Sequence, residues 1–115
     1  MKSKPEITFE DFSKIDVRCG TVSDAMDFPE AHNSSNKLLI NFGIDIGRKK
    51  SSAQITDLYS KEQLIGKQIM AVAYFSSRQI GPFMSEALVF GIVGDTRGVV
   101  LLKPDQNSIN GLLLG

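Results

Sequence analysis

The chain has 115 residues, enough to bury one core and too few for two domains. Lysine plus arginine equals aspartate plus glutamate at 13 each, so global charge neither selects nor excludes a nucleic-acid partner. One cysteine, Cys19, rules out an internal disulfide, and no Cys/His spacing of metal-site type occurs.

The charge is unevenly spread. Residues 37–78 hold Lys37, Arg48, Lys49, Lys50, Lys61, Lys67 and Arg78 against only Asp45, Asp57 and Glu62. A positive patch on a neutral protein suits a salt-sensitive anionic partner. The opening MKSKPEITFEDF has no apolar signal core, and no run approaches the about 18 residues that span a bilayer. The expectation is a soluble, cytoplasmic protein.

Residues 1–8 form a polar, Pro-containing lead expected to be flexible, and residues 9–115 form the domain. Thr8 is a plausible N-cap with Asp11 three residues on, so Phe9 to Ser13 is expected to form a helical turn sharing Phe9 and Phe12 on one face. From Ile15 the pattern has period two: Ile15, Val17 and Cys19 alternate with Asp16, Arg18 and Gly20. Gly20 inside that strand suggests a bulge or coil. Cys19 reads as a small buried hydrophobe. FPEAHNSSN, residues 28–36, is a loop by composition, and its His32 reads as solvated.

Lys37 to Ile46 reads as the second strand, with Leu38, Ile40 and Phe42 on one side. Arg48-Lys49-Lys50 follow a turn bracketed by Gly43 and Gly47, and Ser51 to Thr56 reads as a third strand. Ser60-Lys61-Glu62-Gln63 is a capping-box pattern, with Gly66 where a C′ glycine belongs, which predicts a short helix. Ile69 to Phe75 and Ala87 to Val93 read as strands four and five, joined by a loop that turns at Gly81-Pro82. That loop presents Arg78, Gln79, Phe83, Met84, Ser85 and Glu86, a recognition surface without a catalytic set. Val99 to Leu102 is another short strand, and Leu112-Leu113-Leu114 is too apolar to hang in water. The whole is an all-β pattern: five strands with a short helix between the third and fourth, plus N- and C-terminal extensions. This is the order of the OB-fold, a small Greek-key barrel; SH3-like barrels give similar strings.

RQIGPFMSEAL, residues 78–88, resembles the corresponding segment of CsaA proteins, export-related chaperones that share a tRNA-binding OB-fold domain. The same domain is appended to some aminoacyl-tRNA synthetases. Asp16 to Val22 resembles that family's opening strand, and Phe28 to Ala31 with Lys37-Leu38 its loop and second strand. Lys49 to Thr56 and Ile65 to Gln68 are similar as well. The chain departs from the family at Tyr74, where asparagine is common, at Ser76-Ser77, where prolines are, and at Ser85 to Leu88, where many members read S-x-G-M.

The resemblance implies a CsaA-like chaperone in protein export that binds unfolded or precursor polypeptides and can bind tRNA. The alternative is a free-standing tRNA-binding cofactor in translation. For RNA, Lys37, Lys49, Lys50 and Arg78 would meet phosphates, and Ser52, Gln54 and Ser85 would hydrogen-bond sugars or bases. Phe83 could stack on an unpaired base. For polypeptide, Phe75, Ile80, Phe83 and Met84 would offer adaptable apolar surface. The resemblance further implies a homodimer, with Phe9, Phe12, Leu112, Leu113 and Leu114 as candidate contacts. It implies no cofactor and no metal, and with no Ser–His–Asp set around His32 the chain is not expected to be an enzyme.

Overall fold

The computed structural model describes residues 2–31 and 34–115. His32 therefore lies outside the described residues. Helix α1 spans Phe9–Ser13 and starts where Thr8 Oγ1 accepts from Asp11 N while Asp11 accepts from Thr8 N. Helix α2 spans Lys61–Leu64 with the same reciprocal cap between Ser60 and Gln63. Both turns follow from their capping boxes, which satisfy amide donors that helices this short otherwise leave to water.

Strands β1 (Val17–Asp27), β2 (Asn36–Asn41), β3 (Arg48–Ala53), β4 (Gln68–Val72) and β7 (Leu88–Val89) form one antiparallel sheet in the order β3-β2-β1-β4-β7. Its two ends meet: Lys50 O accepts from Glu86 N at 2.7 Å, and Ser51 Oγ donates to Ala87 O at 2.7 Å. The ring β1-β2-β3-β7-β4 is thus nearly closed, as an OB-like barrel requires. Val22, Leu38, Ile40, Phe42, Ile69 and Ala71 fill it, and Leu64 from α2 joins them, fully buried. Helix α2 is held there because Val22 O accepts from Gly66 N and Val22 N donates to Lys67 O.

Several boundaries differ from the sequence expectation. Strand β2 stops at Asn41, because Phe42 N donates to Gly47 O and the glycines at both ends of the turn take positive φ (Gly43 +91°, Gly47 +83°). Residues 42–47 are therefore turn, and the basic trio opens β3 instead of preceding it. Gly20 is in regular register with Ile69; the irregularity of β1 falls between Val22 and Asp24. A Cβ at Gly20 would lie 2.7 Å from Ile40 Cγ2 and 2.9 Å from Phe42 Cδ1, so this glycine makes room for the core.

The segment expected as a loop is a hairpin, β5 (Arg78–Ile80) paired with β6 (Phe83–Ser85) around Gly81-Pro82. Gly81 has φ +55°, which fits the first central position of a primed two-residue turn. The expected fifth strand is split. Phe90 N still donates to Met70 O of β4 at 3.0 Å, and the chain then pairs as β8 (Gly91–Ile92) with β9 (Val100–Leu101). Among the described residues, no helix is long and apolar enough to cross a membrane, and no group of three or more His, Cys, Asp or Glu side chains could hold a metal ion.

Candidate nucleic-acid interface

The hairpin β5–β6 lies over β3, fixed where Ser85 Oγ accepts from Ser52 N at 3.0 Å and Glu86 Oε1 accepts from Lys50 N at 2.9 Å. Alternation along the hairpin puts Arg78, Ile80, Phe83 and Ser85 on one face and Gln79 and Met84 on the other. Phe83 is half-buried and meets the buried Phe28 edge to face, ring centroids 5.3 Å apart. The Lys37 ammonium lies 5.0 Å from the Phe28 centroid and 5.8 Å from that of Phe83. Lys50 lies 5.4 Å from the Phe83 centroid.

Lys37, Lys50, Ser52, Ser85 and, through its register with Ser85, Arg78 are therefore gathered around one aromatic side chain. Arg78 and Lys50 are exposed, and no salt bridge among the described residues engages either of them or Lys37. Two cations beside an aromatic ring, with hydroxyls at its base, suit phosphates running past a base held against the ring.

Two of the proposed contacts lie elsewhere. Lys49 has the opposite strand parity to Lys50; its Nζ donates to Ala73 O at 2.8 Å and sits 4.0 Å over the Tyr74 ring. Gln54 is exposed beside Thr56, Asp57, Asp95 and Gly98, an acidic neighbourhood. There the Arg97 side chain and amide, both donating to Asp95, hold its carboxyl down at about 2.

The apolar candidates are also divided. Ile80 and Phe83 share the hairpin face, whereas Met84 is turned to the other. Phe75 lines a separate groove of about 360 Å³ with Ile15, Val72, Tyr74, Leu88 and Phe90, flanked by Lys14 and Asp16. Phe9 is highly exposed and touches Phe12, with centroids 6.3 Å apart. Leu112, Leu113 and Leu114 are exposed on a segment whose backbone follows β1. The sequence reading placed Glu86 on the recognition loop without its role of bracing Lys50 N, and it missed Phe28 as a support of the interface. Phe28 carried a signal in being the one aromatic of an otherwise polar loop.

A family model described as "Putative tRNA binding domain" matches residues 17–112. The chaperone CsaA of Bacillus anthracis is 44% identical with a TM-score of 0.89, covering 96% of this chain and 100% of that one. The CsaA chaperone of Picrophilus torridus is 47% identical at the same TM-score and coverage. The methionine–tRNA ligase of Chlorobium limicola is 32% identical over 112 residues, covering 96% of this chain and 15% of that enzyme. The chain thus spans about 15% of the length of the curated relatives it matches. An OB-like barrel, the residue 17–112 match and these likenesses agree: the chain belongs to the tRNA-binding domain family, and its domain is of the CsaA type.

Proposed function

We propose that the chain binds tRNA through the face centred on Phe83, with Lys37, Lys50 and Arg78 on phosphates and Phe83 against an unpaired base. The observation that carries this is the placement of Lys37 and Lys50 at 5.8 and 5.4 Å from the centroid of one half-buried ring. Such a site reads backbone charge and a base face, so it is tolerant of sequence and sensitive to salt. Titration of bulk tRNA at two salt concentrations tests it. Replacing Lys37, Lys50 and Arg78 by alanine is expected to weaken binding and flatten the salt dependence, by a slope of about 0.7 to 0.9 for each phosphate no longer neutralised. Unchanged affinity at low salt would refute it.

A second role, as a CsaA-like chaperone holding unfolded or precursor polypeptides during protein export in the cytoplasm, is supported by the groove of Ile15, Tyr74, Phe75, Leu88 and Phe90. Exposed apolar surface is what a sequence-tolerant polypeptide binder needs. Its test is suppression of aggregation of a reduced, unfolded client. Tight tRNA binding with no such suppression would favour a free-standing tRNA-binding cofactor instead.

A further inference from the structure

The irregularity of β1 between Val22 and Asp24 decides which of its side chains face outward. Val22 stands opposite Ile40 and Asp24 opposite Leu39, so Ser23 is the extra residue and Asp24 reaches the outer face of the sheet. Register between β2 and β3 sets the outer side chains of those strands in rows: Lys37 beside Ser52, Leu39 beside Lys50, and Asn41 beside Arg48. Each row carries one cation, and successive rows lie roughly 7 Å apart, two residues of strand. Asp24 flanks the middle row from β1, on the far side of the half-buried Leu39 from Lys50. Among the described residues no salt bridge joins Asp24 to either strand.

The hairpin β5–β6 is fastened over the first two rows only. Ser85 Oγ accepts from Ser52 N in the first, and Glu86 Oε1 accepts from Lys50 N in the second. Arg48 lies one row further on, exposed and without a hydrogen bond or ion pair among the described residues. Beside it, Asn41 Oδ1 accepts from Gly43 N at 2.9 Å, which fixes the amide and leaves its NH2 free to donate. A guanidinium and an amide donor side by side suit a phosphate and its sugar.

We propose that Arg48 and Asn41 extend the RNA site by one nucleotide beyond Phe83, and that its ligand is an unpaired RNA strand whose backbone follows β3 from Ser52 towards Arg48. The charges set its sidedness. Phosphates are drawn to Lys50 and Arg48 and repelled by Asp24, while Leu39 between them gives a base an apolar floor. A duplex keeps its bases stacked inside and has no free base face to lay on Phe83 or Leu39. This inference rests on the RNA reading and deepens it, naming the class of strand and its course over the sheet.

The test titrates bulk tRNA and oligouridylates of three to eight nucleotides into the wild type, Arg48→Ala, Arg48→Lys and Lys103→Ala at two salt concentrations. Lys103 is exposed after β9, outside this face, and controls for the loss of one positive charge. Arg48→Ala is expected to bind the longest oligouridylate about three- to tenfold more weakly at the lower salt, with a salt slope smaller by about 0.7. Its affinity should also stop rising one nucleotide earlier than that of the wild type. Arg48→Lys is expected to restore the slope, and Lys103→Ala to match the wild type. A wild-type slope and length dependence in Arg48→Ala, or an equal loss in Lys103→Ala, would overturn the path. Wild-type binding of tRNA but of no oligouridylate would overturn the unpaired strand as ligand while leaving the RNA reading intact. Binding of neither would overturn both.

Discussion

The Lys49 ammonium lies 4.0 Å over the Tyr74 ring and donates to Ala73 O at 2.8 Å, while its neighbour Lys50 faces Phe83 on the other side of β3. Adjacent lysines in a strand point opposite ways, so Lys49 is held in contacts with Ala73 and Tyr74 while Lys50 faces the proposed interface. Lys49→Ala is expected to lower stability by about 1 to 2 kcal/mol, through loss of the hydrogen bond and the cation–π interaction, with the tRNA salt slope unchanged. Lys50→Ala is expected to do the reverse. Urea melts and tRNA titrations on the two variants decide it, and a salt slope lowered equally by both would disprove the division.

Ser85 also supports the proposed interface. Its Oγ accepts from Ser52 N, the bond that seats β6 on β3. Ser85→Ala leaves that part-buried amide unpaired, at a cost of about 1 to 3 kcal/mol. The expected signature is weaker tRNA binding at every salt concentration with an unchanged slope, because no charge is lost. A reduced slope, measured by the same titration, would show that Ser85 acts on the phosphates after all.

Much of this was legible in the sequence because the signals were local. The capping boxes at Thr8 and Ser60 and the glycine at Gly66 act within a few residues, so their helices are where the pattern puts them. The barrel order follows from alternation and from the helix between strands three and four. What escaped depends on partners far along the chain. Arg48 to Lys50 become strand because β2 pairs with them, register that no local pattern announces. The hairpin at 78–85 looks like loop because each strand is only three residues long. The partition of Lys49 from Lys50 and of Met84 from Phe83 is a matter of strand parity, invisible until the strand boundaries are known.

Gly20 is constrained by its neighbours across the barrel. A Cβ there would stand 2.7 Å from Ile40 Cγ2, in a core where Ile40 is fully buried. Gly20→Ala is expected to cost about 1 to 3 kcal/mol through overpacking. Adding Ile40→Ala, which removes the opposing Cγ2, is expected to recover part of that loss, so the double variant is less destabilised than the sum of the singles. Strictly additive losses in chemical denaturation would mean that the two side chains do not oppose each other.

The turn at 94–98 carries the clearest pH signature. Arg97 N and Nε donate to Asp95 Oδ1 at 2.9 and 3.0 Å, and Nη2 donates to Oδ2 at 2.9 Å. These bonds favour the carboxylate and bring its pKa from 3.8 down to about 2. Because the folded value lies below the unfolded one, the stabilisation is fully present above about pH 4 and fades as pH falls through about 2. The pair is open to solvent, so the effect is modest and weakens with salt. An NMR titration of the Asp95 carboxyl is expected to show a midpoint near 2 in the wild type and a return towards the ordinary range in Arg97→Ala. A midpoint that stays low in Arg97→Ala would assign the shift to the turn backbone and not to the guanidinium.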